Sequence, residues 1–289
     1  MTIQQIKQLF EIELISQYSL SEIQFLASVF IEEVVSINPL EQKLNSQQSL
    51  SESQLSHLEN YISLLKTGQP YQQILGYTEF FGLRFMVNEN VLIPRPETEE
   101  VLEFTIQQIK NQFGNQYPIR ILDIGTGSGI IPIVLKKHFP NAEVTSIDIS
   151  EKAIEVAKKN AVEHKVTILF EQKDYLNTEL NGTWDLIISN PPYIGIDEND
   201  EIANSVKYFE PNIALFSPTR DALIFYRKIA QDAQMHLSEN GIIVVEINQK
   251  LGQETLDLFH FFPLTKLISD ISGNDRIIFA SRKKMNTYL

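Results

Sequence analysis

The sequence predicts an α/β protein with a doubly wound, mostly parallel seven-stranded sheet, preceded by a small all-helical N-terminal domain and a β-hairpin connector. Three observations predict it. From Ile119 onward, short apolar runs alternate with segments of helical periodicity. Before about residue 70, apolar residues recur only at spacings of three and four, as on one face of a helix. Between the two regions lies a short aromatic-rich run with a glycine near its middle. The expected domains are 1–70, 71–94 and 95–289.

In the first region Ile3, Ile6, Leu9 and Phe10 mark one helix. Ser21 with Glu22 is expected to open a second, carrying Ile23, Leu26, Val29 and Phe30 on one face. Asn38-Pro39 is read as a break, and Ser51 through Leu65 as a third helix. Composition alone leaves this domain as either a substrate-recognition module or a packing appendage. Gly68-Gln69-Pro70 reads as a turn. Glu79-Phe80-Phe81-Gly82-Leu83-Arg84-Phe85 then reads as a hairpin with Gly82 near its tip. Pro96 suits the first turn of a helix, and Glu97, Glu99 and Glu100 complement its positive end. That helix is expected to run to about Asn111.

Strands are expected at 120–124, 143–149, 166–170, 185–189, 241–247, 264–269 and 276–280. Helices are expected at 130–138, 150–163, 222–237 and 249–259. The last two strands have no helix between them, which predicts an antiparallel hairpin at one edge of the sheet.

Bulk properties narrow the function. A chain of 289 residues with 43% apolar content can bury a substantial core. No apolar run reaches the roughly 18 residues a membrane span needs, and Met1 to Lys7 lacks a signal-peptide pattern, so a cytoplasmic protein is expected. Cysteine is absent, which excludes disulfides, thiolate catalysis and Cys-ligated zinc. The five histidines are scattered away from every motif, so no metal site is expected. A net charge of −13 without a Lys/Arg cluster argues against a nucleic-acid surface.

Candidate site residues stand at the carboxyl ends of the predicted strands, where open α/β sheets bind ligands. Gly125-Thr126-Gly127-Ser128-Gly129 follows the first strand and opens a helix. Glycines let a backbone approach a ligand, and a helix N-terminus attracts negative charge. The spacing does not fit the dinucleotide fingerprint, because Ile130 stands where its third glycine would fall, and no P-loop pattern occurs. Asp148 ends the second strand, where a carboxylate can accept the hydroxyls of an adenosine ribose. Asp174 and Tyr175 follow the third, suited to an adenine amino group and ring face. Asn190-Pro191-Pro192-Tyr193 follows the fourth. There the Asn190 oxygen and a backbone carbonyl of the proline turn can accept the two N–H groups of a planar amide or amine, with Tyr193 packed on the flat group.

Together Asp123-Ile124-Gly125-Thr126-Gly127-Ser128-Gly129, Asp148, Asp174-Tyr175 and Asn190-Pro191-Pro192-Tyr193 resemble the class I S-adenosylmethionine-dependent methyltransferases, whose domain is Rossmann-like. Further residues narrow the resemblance. Gly68 through Gly76, Phe80-Phe81-Gly82-Leu83, Leu92 through Glu99, Phe209-Glu210-Pro211 and Ser272 through Arg276 are similar to the protein-glutamine N5-methyltransferases of the HemK type.

That resemblance implies methyl transfer from S-adenosylmethionine to the glutamine of a Gly-Gly-Gln loop in class 1 peptide chain release factors. It implies cofactor contacts at Gly125 through Gly129, Asp148, Asp174, Tyr175 and Asn190, and catalytic and substrate contacts at Asn190, Pro191, Pro192 and Tyr193. It makes 1–70 a substrate-recognition domain. The expected enzyme is a monomer without direct contact to nucleic acid or membrane. The alternative is a nucleic-acid exocyclic amine methyltransferase of the adenine N6 type, since that group carries the same tetrapeptide. Two departures from the family pattern stand away from the transfer centre. Glu246-Ile247 is followed by Asn248 where glycine is usual, with Leu251 in place of a following glutamine, and Tyr175 replaces a frequent tryptophan. Arg95, Glu97 and Glu99 are expected either at the mouth of the cofactor pocket, in contact with the release-factor loop, or as ordinary helix-end residues. Asp197-Glu198-Asn199-Asp200-Glu201 reads as a solvated loop placed to cover the substrate.

Overall fold

The computed structural model describes residues 1–114, 118–195 and 204–283, so the expected covering loop at 197–201 lies outside the described residues. The chain divides into two compact units. The smaller comprises Met1–Leu75 and Asn204–Phe209. Its helices are α1 (Ile3–Leu14), α2 (Leu20–Val35), α3 (Pro39–Leu44), α4 (Glu52–Lys66) and α5 (Tyr71–Leu75), joined later in the chain by the short helix Asn204–Phe209.

Local sequence sets where these helices start. Thr2, Ser19, Asn38 and Ser51 are N-caps, each in a reciprocal capping box with the residue three positions on. The second helix therefore starts from Ser19, not Ser21: Ser19 Oγ accepts from Glu22 N–H, and Glu22 returns the bond (Ser19 N–H to Glu22 Oε2, 2.8 Å). The break expected at Asn38-Pro39 falls between α2 and α3, and the same pair opens α3. Pro39 needs no N–H at that position, and Asn38 Oδ1 accepts from Leu40 and Glu41 at 3.0 Å. Ile6, Phe10, Phe30 and Leu58 are fully buried in the core of this unit. Burial of side chains of this size contributes about 1.5–3 kcal/mol each. Gln73 Nε2 donates to the carbonyl of Phe209 at 2.7 Å, which ties the late helix to this unit.

The larger unit begins with the hairpin of β1 (Tyr77–Phe80) and β2 (Leu83–Met86). Its turn places Phe81 and Gly82 at positive φ. A seven-stranded sheet follows, with β3 (Arg120–Ile124), β4 (Glu143–Asp148), β5 (Leu169–Gln172), β6 (Trp184–Ser189), β7 (Leu237–Glu246), β8 (Leu264–Ser269) and β9 (Asp275–Ser281). Their order is β5-β4-β3-β6-β7-β9-β8, with β9 antiparallel to both its neighbours and the other pairings parallel. The principal helices are α6 (Glu97–Phe113), α7 (Ile130–His138), α8 (Glu151–Glu163), α10 (Asn212–Leu215), α11 (Ile224–His236) and α12 (Gly252–Asp257), counting Asn204–Phe209 as α9.

The central strands are apolar on both faces, as expected of parallel strands covered twice. Alternate residues therefore serve different cores. Leu186, Ile188 and Val244 join one face with Val101, Ile131 and Leu135, while Ile187, Ile243 and Val245 join the other with Tyr226 and Ile229. Buried Asn160 on α8 ties the hairpin to the sheet. It accepts from Met86 N–H at 2.7 Å and donates to the carbonyls of Met86 and Ser128 at 3.0 and 2.8 Å.

Three elements differ most from the sequence reading. The third sheet strand starts at Leu169, not Val166, because Val166 N–H is used on the carbonyl of Ala161, with Lys165 at φ 57°, to end α8. The next-to-central strand β7 starts at Leu237, running through Asn240-Gly241, because Leu237 pairs with Trp184. The helix expected at 249–259 is a 3₁₀ turn (Gln249–Leu251) followed by α12, with Asn248 capping the turn.

Candidate active site

β3 sends its connection one way, to β4 and β5, and β6 lies on its other side. The crevice between the carboxyl ends of β3 and β6 is therefore the switch point at which such sheets bind ligands. The Gly125–Gly129 loop and Asn190 both emerge there. Ser189 Oγ donates to the carbonyl of Ile124 at 2.7 Å, and this locks the two strand ends together.

The loop is held from beneath. The N–H groups of Gly125 and Thr126 both donate to the carbonyl of Ile147 on β4. Thr126 Oγ1 hydrogen-bonds Ser146 Oγ, which donates to Asp123 Oδ2 in the buried layer below. Burial without a partner for Oδ1 pushes the Asp123 carboxyl up to about 7, against the Ser146 bond and with the nearby Asp148 charge. Gly129 caps α7 at φ 83°, where an added Cβ would come within 3.0 Å of Ala157 Cβ. Only glycine fits there without displacing α8.

Asp148 Oδ2 accepts from Gly127 N–H at 2.9 Å and Oδ1 from Ser150 N–H at 2.8 Å. Burial raises its pKa, and the backbone N–H groups hold it down. Asp174 uses its carboxylate locally, accepting from Leu176 N–H at 3.1 Å and Asn177 Nδ2 at 2.8 Å, and so caps the 3₁₀ turn Tyr175–Asn177. Tyr175 is buried in the core with Leu122 and Ile147, with Lys228 Nζ 5.0 Å from its ring centre.

A cavity of about 450 Å³ joins these groups. Its walls include Gly125 through Ser128, Asp148, Asp174, Tyr175, Asn190, Pro191 and Pro192. Gly129 and Tyr193 do not line it. Gly129 is the helix cap, and Tyr193 packs against the core beside β6 and β7, its carbonyl accepting from Asn248 Nδ2 at 3.3 Å. Burial and the Glu246 charge push the Tyr193 phenol up to about 12, against Arg276 and Arg95. The residue after the tetrapeptide, Ile194, bridges to Phe216, which brings Phe216 and Ser217 to the cavity wall.

Three contributors are given no site role by the sequence reading. Thr98, at the start of α6, lines the cavity and receives a long bond from Asn190 Nδ2 (3.4 Å). Its own hydroxyl donates to Glu246 Oε2 at 2.8 Å. Glu246 ends β7, so the same strand-end rule that picked out Asp148 would have found it. Glu210 is the third. Its buried carboxylate accepts from Ile93 N–H at 2.9 Å and Arg95 Nη2 at 2.7 Å, and Arg95 is at the cavity wall. Of the acids beside Arg95, Glu99 accepts from Phe81 N–H at 2.5 Å and steadies the hairpin, whereas Glu97 stands in the first turn of α6. Among the described residues no group of three or more His, Asp or Glu could hold a metal ion, and no helix is long and apolar enough to cross a membrane.

A glycine loop, a strand-end acid and an Asn-Pro-Pro turn around one cavity, on this strand order, define a methyltransferase. Residues 103–206 match the Methyltransferase small domain family, and residues 13–76 match the PrmC N-terminal domain family. A release factor glutamine methyltransferase of Flavobacterium psychrophilum is 45% identical over 280 residues, covering 92% of this chain and 98% of that one. One from Bacteroides thetaiotaomicron is 37% identical, covering 92% and 95%. A methyltransferase structure from Pyrococcus furiosus shares the fold at a TM-score of 0.51 and 17% identity, covering 73% of this chain and 94% of that one. The chain belongs to the release factor glutamine methyltransferase family.

Proposed function

We propose that this chain transfers a methyl group from S-adenosylmethionine to the side-chain amide N5 of the glutamine in the Gly-Gly-Gln loop of class 1 peptide chain release factors. The observation that carries this reading is one cavity lined by both the Gly125–Ser128 loop with Asp148 and the Asn190-Pro191-Pro192 turn. The membership just described supports it.

The residues present fit the cofactor. Asp148 spends one bond per carboxylate oxygen on backbone N–H groups, which leaves lone pairs for ribose hydroxyls. Gly125 and Gly127 bring backbone to the cavity wall with no side chain of their own, suited to the methionine end. Asp174, Tyr175, Leu176 and Asn177 offer a partly apolar wall for adenine. Bound there, the sulfonium would supply an already activated methyl group.

The chain's own work is then mostly positioning, with reacting atoms held about 3–3.5 Å apart. A carboxamide nitrogen is a poor nucleophile because its lone pair is delocalised, and it offers two N–H donors. Asn190 Oδ1 accepts one, and the backbone carbonyl of the proline turn accepts the other. These acceptors orient the nitrogen and stabilise the positive charge that grows on it. The nitrogen's proton becomes acidic only as the bond to carbon forms, so no strong base is required. Tyr193 braces the turn from the core side. We assign substrate recognition to the helical N-terminal unit. The reading places the enzyme in the cytoplasm with its substrate. Purified protein, labelled S-adenosylmethionine and a class 1 release factor test it. Label in the release factor supports the reading. Label in DNA or RNA but not in release factor would replace it with the nucleic-acid alternative.

A further inference from the structure

Asn190 can accept an N–H from the substrate only with Oδ1 turned to the cavity, because its Nδ2 carries two donors and no acceptor. A carboxamide is close to symmetric in shape, so packing alone does not choose between its two orientations. Hydrogen-bond polarity does.

Asn190 Nδ2 is 3.4 Å from Thr98 Oγ1, and Thr98 Oγ1 is 2.8 Å from Glu246 Oε2. Thr98 is 2% exposed and Glu246 1%, so bulk water does not compete for either group. An ionised carboxylate only accepts, so the single proton of the Thr98 hydroxyl must point to Glu246. Thr98 then has only lone pairs to offer Asn190, and Asn190 must meet it with its NH2 end. Its oxygen is thereby left for the cavity. The three residues come from separate elements, the first turn of α6, the end of β7 and the residue after β6.

Resting on the function proposed above, we infer that Thr98 and Glu246 are positioning residues that fix the orientation of the Asn190 amide so that its oxygen faces the acceptor amide. The direction of the relay depends on the charge of Glu246. Protonated, Glu246 can donate to Thr98, whose hydroxyl then donates to Asn190. That turns Oδ1 inward and presents N–H to N–H across the cavity. Burial pushes Glu246 up to about 7, offset by its bond with Thr98 and by Arg276 on β9, and aided by Glu97 on α6. The phenols of Tyr193 and Tyr226 are the other titratable groups acting here, and burial holds both above their ordinary range. Arg276 is itself paired with Asp270 at 3.0 Å. Glu246 is thus the group on this relay that changes charge near neutral pH.

The test compares Thr98→Val, Thr98→Ser and Glu246→Gln with the wild-type enzyme in two measurements. The first is hydrogen exchange of the Asn190 side-chain NH2 by NMR, in the full chain without substrate. The second is kcat and KM for release-factor methylation across pH 6 to 8. Loss of one hydrogen bond of ordinary strength corresponds to about tenfold. Thr98→Val is expected to speed the exchange and lower kcat by about that factor, with KM for the cofactor unchanged, and Thr98→Ser to restore both. Wild-type kcat is expected to rise with pH through about 7, and Glu246→Gln to remove that step. Unchanged exchange and kcat in Thr98→Val, or a pH step that survives Glu246→Gln, would overturn the relay. The exchange measurement needs no acceptor, so it decides the relay even where wild-type enzyme leaves the release factor unmethylated, a result that would overturn the functional reading instead.

Discussion

The amide N–H of Gly127 donates to Asp148 Oδ2 at 2.9 Å, joining the glycine loop after β3 to the end of β4. The loop's shape and the proposed ribose acceptor are therefore one unit. A change in Asp148 alters both the acceptor and the backbone next to it.

Asp148→Asn puts an NH2 group where a carboxylate oxygen now accepts a backbone N–H, and it removes the charge that strengthens the bonds to ribose. Hydrogen bonds to charged groups contribute about 1.5–3 kcal/mol, so affinity for S-adenosylmethionine should fall about tenfold or more. Isothermal titration calorimetry reads this directly. An unchanged dissociation constant would remove Asp148 from the cofactor site.

The glycines of the loop separate fold from function. At Gly129, φ is 83° and an added Cβ meets Ala157 Cβ at 3.0 Å, whereas at Gly127 it meets nothing within 4 Å. Positive φ and overpacking together should make Gly129→Ala lose about 2–4 kcal/mol in urea unfolding, against about 1–2 kcal/mol for Gly127→Ala. Gly127→Ala should weaken cofactor binding more than its stability loss suggests. Equal stability of the two variants would contradict the close packing of α7 on α8.

How much of this could be read from the chain depended on the range of the signal. The sheet was legible because each strand carries its own apolar run, as in Trp184 through Ser189, and the candidate loops sit directly after those runs. The hairpin was legible from Phe80 through Phe85 alone. Short-range competition was harder to see. Ser21 reads as the cap, whereas the reciprocal bond with Glu22 makes it Ser19. The start of β5 moved because the end of α8 uses Val166. The contact from Thr98 to Glu246 spans 148 positions, and no periodicity or spacing encodes it. The sequence placed Tyr193 among the substrate contacts because it adjoins Asn190. The fold instead turns it toward Tyr226 and the core, where it can support the proline turn from behind.

Asp123 makes a pH prediction about stability. Its folded pKa, about 7, lies above its ordinary value of 3.8, so between those values the folded state holds more proton than the unfolded state. Stability from this group is then fully present below the unfolded value and is lost as pH rises toward about 7. Asp123→Asn keeps an oxygen to accept from Ser146 and carries no charge, so it should flatten the fall in unfolding free energy across that interval. Urea unfolding at a series of pH values checks this. Parallel curves for variant and wild type would show that Asp123 does not titrate there.

The central claim concerns a single nitrogen atom. Wild-type enzyme and Asn190→Ala are each incubated with S-adenosylmethionine and a class 1 release factor, in its natural form and with the loop glutamine changed to alanine. Tandem mass spectrometry then reads the loop peptide. One methyl group on the glutamine side chain, made by wild type, absent with Asn190→Ala and absent from the glutamine-lacking substrate, is the expected result. No gain on that glutamine while a known active enzyme methylates it in parallel, or full methylation by Asn190→Ala, would contradict it.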